Sequence, residues 1–402
     1  MDAPTPAPVL RRRVCYLSGF DPQGPAHYHQ LYATQAALQS GVNGWPITVG
    51  PRRKAGPHVA WWSVTGEEDG HRTETRYEFL RWDDIVREHW PRGRLALLRS
   101  TAWASWRMLR NGVMAYTLRR SWPMFLAMAM PGMLFLALGL GVVLLALLVA
   151  SLGADGQPLA AIGCLLLGGP LLAWLALVGE ARTHMAWLMR SMACLVRQGE
   201  DRAPTLEQRL DELAAHVAEA LRDPLADEVL VVGHSSGALM AVCVLARALK
   251  RVPEPPRPGQ AWALLTLGHC SPMLSRQPAA ARYRDELRQV ALDERLHWLD
   301  AGAPPDGCCY ALVDPTEGLD VPTGRRPQLV NPRFADAFEP PRYQAVRADK
   351  FRCHFQYLMA TDRPTRLDYF ALTAGSQPFG RRTQALDSVK DYRGFTLLGG
   401  PW

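Results

Sequence analysis

Two stretches without a charged residue, 123–150 and 157–179, dominate the hydrophobic pattern, and each exceeds the ~20 apolar residues that cross a bilayer. They predict spans at about 123–150 and 158–179, the first carrying Pro131 and Gly132 as a kink. A buried helical hairpin is the competing reading, and the length and lack of charge weigh against it. Before the first span, residues 100–122 mix Trp103, Trp106 and Trp122 with Arg107, Arg110, Arg119 and Arg120, as a segment at a membrane surface does. After the second, 184–198 reads as an apolar-basic helix along the same surface. The connector 151–157 has no basic residue, while Arg119 and Arg120 on one flank and Arg182, Arg190 and Arg197 on the other make both outer sides basic. The positive-inside rule then predicts an integral membrane protein whose flanks and both termini are cytoplasmic.

Outside this region the pattern alternates between strand and helix. Residues 1–10 read as a loose tail. Strands are expected at 13–17, 45–49, 58–64 and 72–80, a helix at 27–40 and a short one at 81–90. Asp83 and Asp84 fall in that short helix, as caps or solvated groups. Thr205-x-x-Gln208 reads as a capping box ahead of a stripe formed by Leu206, Leu210, Leu213, Val217 and Leu221, with His216 on the polar side. Strands follow at 228–232, 261–268 and 296–300, with helices at 238–250 and 280–292 between them; beyond 301 the chain is loop-rich. This order predicts an α/β domain, a mostly parallel sheet flanked by helices. The domain is read as 11–99 and 201–402, interrupted by a membrane insertion over 100–200.

The strand at 228–232 runs Glu228-Val229-Leu230-Val231-Val232, a burial pattern for a strand covered on both faces. It ends in Gly233-His234-Ser235-Ser236-Gly237 and then a helix. A strand, a G-x-S-x-G turn and a helix together present a serine hydroxyl at the tip of a tight turn. A second feature suits that serine. The strand at 13–17 runs straight into Ser18-Gly19-Phe20-Asp21-Pro22, where a backbone amide can stabilise an oxyanion. The amide of Phe20 is the first choice and that of Asp21 the second.

Composition changes little. The net charge of +7 comes from arginine, since only Lys54, Lys250, Lys350 and Lys390 are lysines, and no basic stripe interleaved with aromatics points to nucleic acid. Eight cysteines lack C-x-x-C spacing, so neither zinc nor a disulfide framework follows, and free thiols fit a reducing compartment. No metal or cofactor is expected; His27 and His29, two apart, point to different sides of their helix. The first residues, MDAPTPAPVLRRRVCYL, show no cleavable signal.

A serine needs a base, and the base an acid to orient it. Only His269, His297 and His354 follow Ser235. His269 leaves its strand too early and His297 lies within a strand, so His354, in a loop-like stretch, is the candidate base. Asp306 sits in the loop just past a strand end, with Asp300 and Asp314 as alternatives. The elbow, Leu265-Thr266-Leu267-Gly268-x-x-Ser271-Pro272 on the next strand, and Trp298-x-Asp300 with Pro305-Asp306 resemble the lipase/esterase branch of the α/β-hydrolase superfamily. Over 12–24 and 205–360, that resemblance implies Ser235 as nucleophile, Asp306 as acid, His354 as base, and the amides of Phe20 and Ser236 as oxyanion hole. The inserted spans depart from the family's pattern. The expected function is a membrane-anchored serine hydrolase cleaving a carboxylic ester, of a lipid or another acyl ester, through an acyl-enzyme. An acyltransferase on the same scaffold and a catalytically silent membrane scaffold are the alternatives; oligomeric state is open.

Overall fold

The computed structural model describes residues 7–91 and 93–386. Among the described residues nine strands form one sheet: β1 (Arg11–Leu17), β2 (Ile47–Val49), β3 (Arg53–Lys54), β4 (Val59–Glu68), β5 (His71–Leu80), β6 (Glu228–His234), β7 (Ala261–Leu267), β8 (Leu296–Ala301) and β9 (Gln328–Val330). Their spatial order is β2-β4-β5-β1-β6-β7-β8-β9, with β3 pairing β4. The half from β5 through β1 to β9 is parallel, whereas β2, β3 and β5 all pair β4 antiparallel. The sheet is therefore mixed. The antiparallel part arises because β4 and β5 are joined by a tight Asp69-Gly70 turn at positive φ, too short for a crossover helix.

Both faces of the parallel half are covered, which explains its unbroken hydrophobic runs. On β6, Val229 and Val231 enter one core and Leu230 and Val232 the other; on β1, Cys15 and Leu17 face the first, Val14 and Tyr16 the second. The first core is closed by the helices Pro204–Leu221, Ser236–Arg251 and Ala281–Leu292, and the predicted leucine stripe of 206–221 is buried there. The second contains Tyr28, Tyr32 and Ala36 of the helix Pro25–Asn43. At the sheet end away from the elbow, Arg12 and Glu228 form a buried ion pair at 2.6 Å; Arg12 also donates to Gly375 O and Glu228 accepts from Phe379 N, tying in the C-terminal helices.

Several expectations change. The helix at 204 starts on Pro204 with Ala203 as its cap and no side-chain cap bond, so Thr205 and Gln208 form no capping box. His216 is not solvated: its Nε2 lies 3.3 Å from the buried carboxylate of Glu78. Asp83 is itself buried, bonded to Arg81 and Arg87, and Asp84 holds Arg209.

The span regions form continuous helices, Trp122–Ala154 and Pro158–Thr183, each passing through a proline, and both are long and apolar enough to cross a membrane. None of the first's most apolar window and 6% of the second's is buried. Not all of 100–200 leaves the domain, however. The helices Arg94–Arg110, Val113–Arg120 and Met185–Gly199 contribute Ala104, Met108, Val113 and Met192 through Val196 to the first core. The 184–198 region is thus a packed helix with a buried apolar face rather than one lying on a surface. Its start is fixed by Glu180, whose carboxylate accepts from Ala186 N.

Candidate active site

β6 delivers His234, and Ser235 turns the chain with φ 60° and ψ −128°, a conformation that costs a non-glycine residue about 1–3 kcal/mol. Its surroundings hold it there. Ser235 N donates to Leu267 O on β7 at 2.8 Å, and Ser235 O accepts from Ala238 N at 3.0 Å. Neither flanking glycine can be replaced. A Cβ on Gly233 would lie 2.5 Å from Ala238 Cα, and one on Gly237 2.3 Å from the carbonyl oxygens of Leu17 and Ser18. The elbow helix therefore packs directly against the end of β1.

That end of β1 is the proposed oxyanion loop, and it touches the serine: a Cβ on Gly19 would lie 3.0 Å from Ser235 Cβ and 3.4 Å from its Oγ. Trp82 Nε1 donates to Ser18 O at 2.9 Å, Trp187 Nε1 donates to Phe20 O, and the Phe20 ring stacks on Trp90. Asp21 N donates to Gly19 O at 2.7 Å, so of the two candidate amides that of Asp21 is engaged within the loop. The Asp21 carboxylate accepts from Tyr28 and from Gln23 N. Ser236 opens the elbow helix, where backbone amides have no intrahelical partner and favour negative charge.

Asp306 lies in the loop after β8, fully buried, with His354 Nδ1 at 2.9 Å from its Oδ2. Tyr357 OH donates to the same oxygen at 3.0 Å and Cys308 N to Oδ1 at 2.9 Å. Burial alone would push this carboxyl up, but His354, the Cys308 amide and the Cys309 thiol hold it below its usual range. An ionised carboxylate can only accept, so this hydrogen bond places a proton on His354 Nδ1. His354 belongs to a short helix, Lys350–Phe355, rather than a loop, with Asp349 capping it. Ser235, His354 and Phe20 line one cavity of about 570 Å³, at the carboxyl ends of β1, β6 and β8.

The other candidates are engaged elsewhere. Asp300 accepts from Thr266 Oγ1 and faces His269 at 3.5 Å, both fully buried, and His269 Nε2 also meets Val313 O at 3.0 Å. Asp314 accepts from the amide and hydroxyl of Thr316. His297 contacts Thr383 Oγ1. His29 meets Gly50 O, His27 is exposed, and no group of three metal-ligating side chains occurs among the described residues.

Two contributors escaped the sequence reading. His234 donates from Nε2 to His354 O at 2.7 Å; burial, then the charge of His354, lowers its pKa to about 3, so it stays neutral. Tyr357 holds Asp306 while accepting from Ala303 N at 2.8 Å. The only sequence signals were position x of the G-x-S-x-G motif and the i+3 spacing from His354. All eight cysteines are free, and burial pushes the thiols of Cys270 and Cys308 up to about 12, which keeps them unreactive beside the site.

No protein-family model, curated protein or solved structure matches the chain. What its site does rests on geometry alone.

Proposed function

We propose that the protein is a membrane-anchored serine hydrolase of the α/β-hydrolase type, cleaving a carboxylic ester through an acyl-enzyme. One observation carries the reading: Ser235, held at φ 60° between strand and helix, opens into the same cavity as a histidine bonded to a buried, ionised aspartate. In this reading Ser235 Oγ attacks the ester carbonyl and passes its proton to His354 Nε2. The amides of Phe20 and Ser236 receive the oxyanion. The tetrahedral intermediate collapses, the C–O bond breaks, and His354 returns the proton to the leaving alcohol. Water, activated by His354, then frees the acid and Ser235.

The two apolar helices support the membrane part, and their basic flanks support a cytoplasmic domain. The helix Arg94–Arg110 adds an exposed stripe of Leu95, Leu98, Trp106 and Leu109, flanked by Arg99 and Arg110, which suits the interface of an anionic bilayer. The test is a fluorophosphonate probe on the full-length protein in detergent. Wild type is expected to label and Ser235→Ala not to; equal labelling of both would sink the proposal.

A further inference from the structure

We propose that the substrate is a bilayer lipid ester with an anionic headgroup, its acyl chain reaching Ser235 along the first turns of the helix Trp122–Ala154. This rests on the hydrolase reading above and adds the substrate class.

One wall of the catalytic cavity is the apolar helix itself. Trp122, Met124, Ala127, Met130 and Met133 line it, covering about 16 Å of helix at ~1.5 Å per residue. The helix has 33 residues, about 50 Å, against a hydrocarbon core of about 30 Å. Its first turns therefore stand outside the core, and there Met124, Met128 and Pro131 are buried against the protein. The cavity is open along this helix: Leu126 and Met133 line it, yet are 45% and 50% exposed. A lipid chain can pass from the bilayer to the serine beside one continuous apolar surface, without crossing water.

The polar rim has one sign. Arg347 and Lys350 both line the cavity and both are exposed. Lys350 Nζ lies 3.4 Å from Pro305 O, the residue before the catalytic acid. Among the described residues the carboxylate that lines the cavity is Asp21, buried and taken up by Tyr28 and Gln23 N, and neighbouring Asp349 caps the helix of His354. An apolar channel with a cationic rim fits an amphiphile whose head is negative. The volume of about 570 Å³ is in the range that holds one bound ligand chain.

The experiment reconstitutes the full-length protein into vesicles of phosphatidylglycerol, of phosphatidylcholine, or of phosphatidylcholine with diacylglycerol, and measures fatty-acid release. Phosphatidylglycerol should turn over fastest. Lys350→Glu should lower its rate relative to phosphatidylcholine by about fivefold, the worth of one cationic contact. Ala127→Trp, which fills the channel, should lower vesicle-lipid turnover about tenfold relative to a short-chain soluble ester. Equal rates on the three vesicles, or no change in the ratio with Lys350→Glu, would overturn the headgroup assignment. Equal losses on lipid and soluble ester with Ala127→Trp would overturn the route. Fluorophosphonate labelling of Ser235 without lipid hydrolysis rejects this proposal and leaves the hydrolase reading standing; absence of labelling rejects both.

Discussion

Ser235 keeps its left-handed backbone because Leu267 O, Ala238 N and two glycines leave it no other conformation, and the same logic of enforced placement runs through the site. Asp306→Asn preserves the buried shape while removing the charge that orients His354. Turnover should fall by about 10⁴-fold with an unchanged melting profile. Tyr357→Phe removes one donor to Asp306, and a smaller loss, about tenfold, is expected from the weaker hold on the carboxylate. Comparing the two variants by ester turnover and circular dichroism separates chemistry from folding. Glu78 provides the clearest pH dependence. It is buried on β5 beside Arg13 at 2.9 Å, Arg76 at 2.7 Å and His216 at 3.3 Å. Burial would raise its carboxyl, but His216 and the arginines lower it from 4.5 to about 2. Because the folded value lies below the unfolded one, its stabilisation is complete above pH 4.5 and is lost as pH falls toward 2. Melting temperatures should drop across that window in wild type, and Glu78→Gln should lower them at neutral pH and flatten the drop.

At the scale of elements, the hairpin is assembled on small residues. A Cβ on Gly141 would lie 2.8 Å from Leu172 Cδ2, and one on Gly168 2.7 Å from Leu145 Cδ1, whereas Gly139 and Gly163 face open space. Close approach at small residues is how apolar helices pack where burial from water cannot drive them together. Gly141→Leu and Gly168→Leu should each destabilise the hairpin by about 1–3 kcal/mol, and Gly139→Leu and Gly163→Leu by much less. Thermal unfolding in detergent checks the contrast. The helix Met185–Gly199 shows where periodicity misleads. Its mixture of apolar and basic residues resembles a surface helix, but Arg190 stacks over Trp90 at 4.4 Å and Arg197 over Trp103 at 5.5 Å. Its basic side chains are bound to the domain's own aromatics, and its methionines fill the core.

For the whole molecule, the charge asymmetry about the two apolar helices predicts the proposed orientation, with the domain on the cytoplasmic side. Gly156→Cys, in the connector, should react with an impermeant maleimide in intact cells, and Arg119→Cys only after lysis. The reverse pattern would place the domain outside. The cavity at Ser235 lies where the first apolar helix leaves the domain, so the segment inserted between β5 and β6 forms part of the cavity wall.

Elements whose signals are local were legible in the chain: the elbow, the two apolar helices, the leucine stripe at 206–221 and the strands with both faces apolar. Periodicity encodes which face of an element is buried, and a G-x-S-x-G turn encodes a close approach, so both are legible without the fold. Which side chains meet was settled by packing. Asp300, Asp306 and Asp314 all lie at or beyond the end of β8, and the direction of each side chain, set by Thr266, His354 and Thr316, separated them. The roles of His234 and Tyr357 and the polarity of β4 were likewise invisible, because they depend on contacts between residues far apart in the chain. Distance along a chain carries no information about such partners; packing the sheet does.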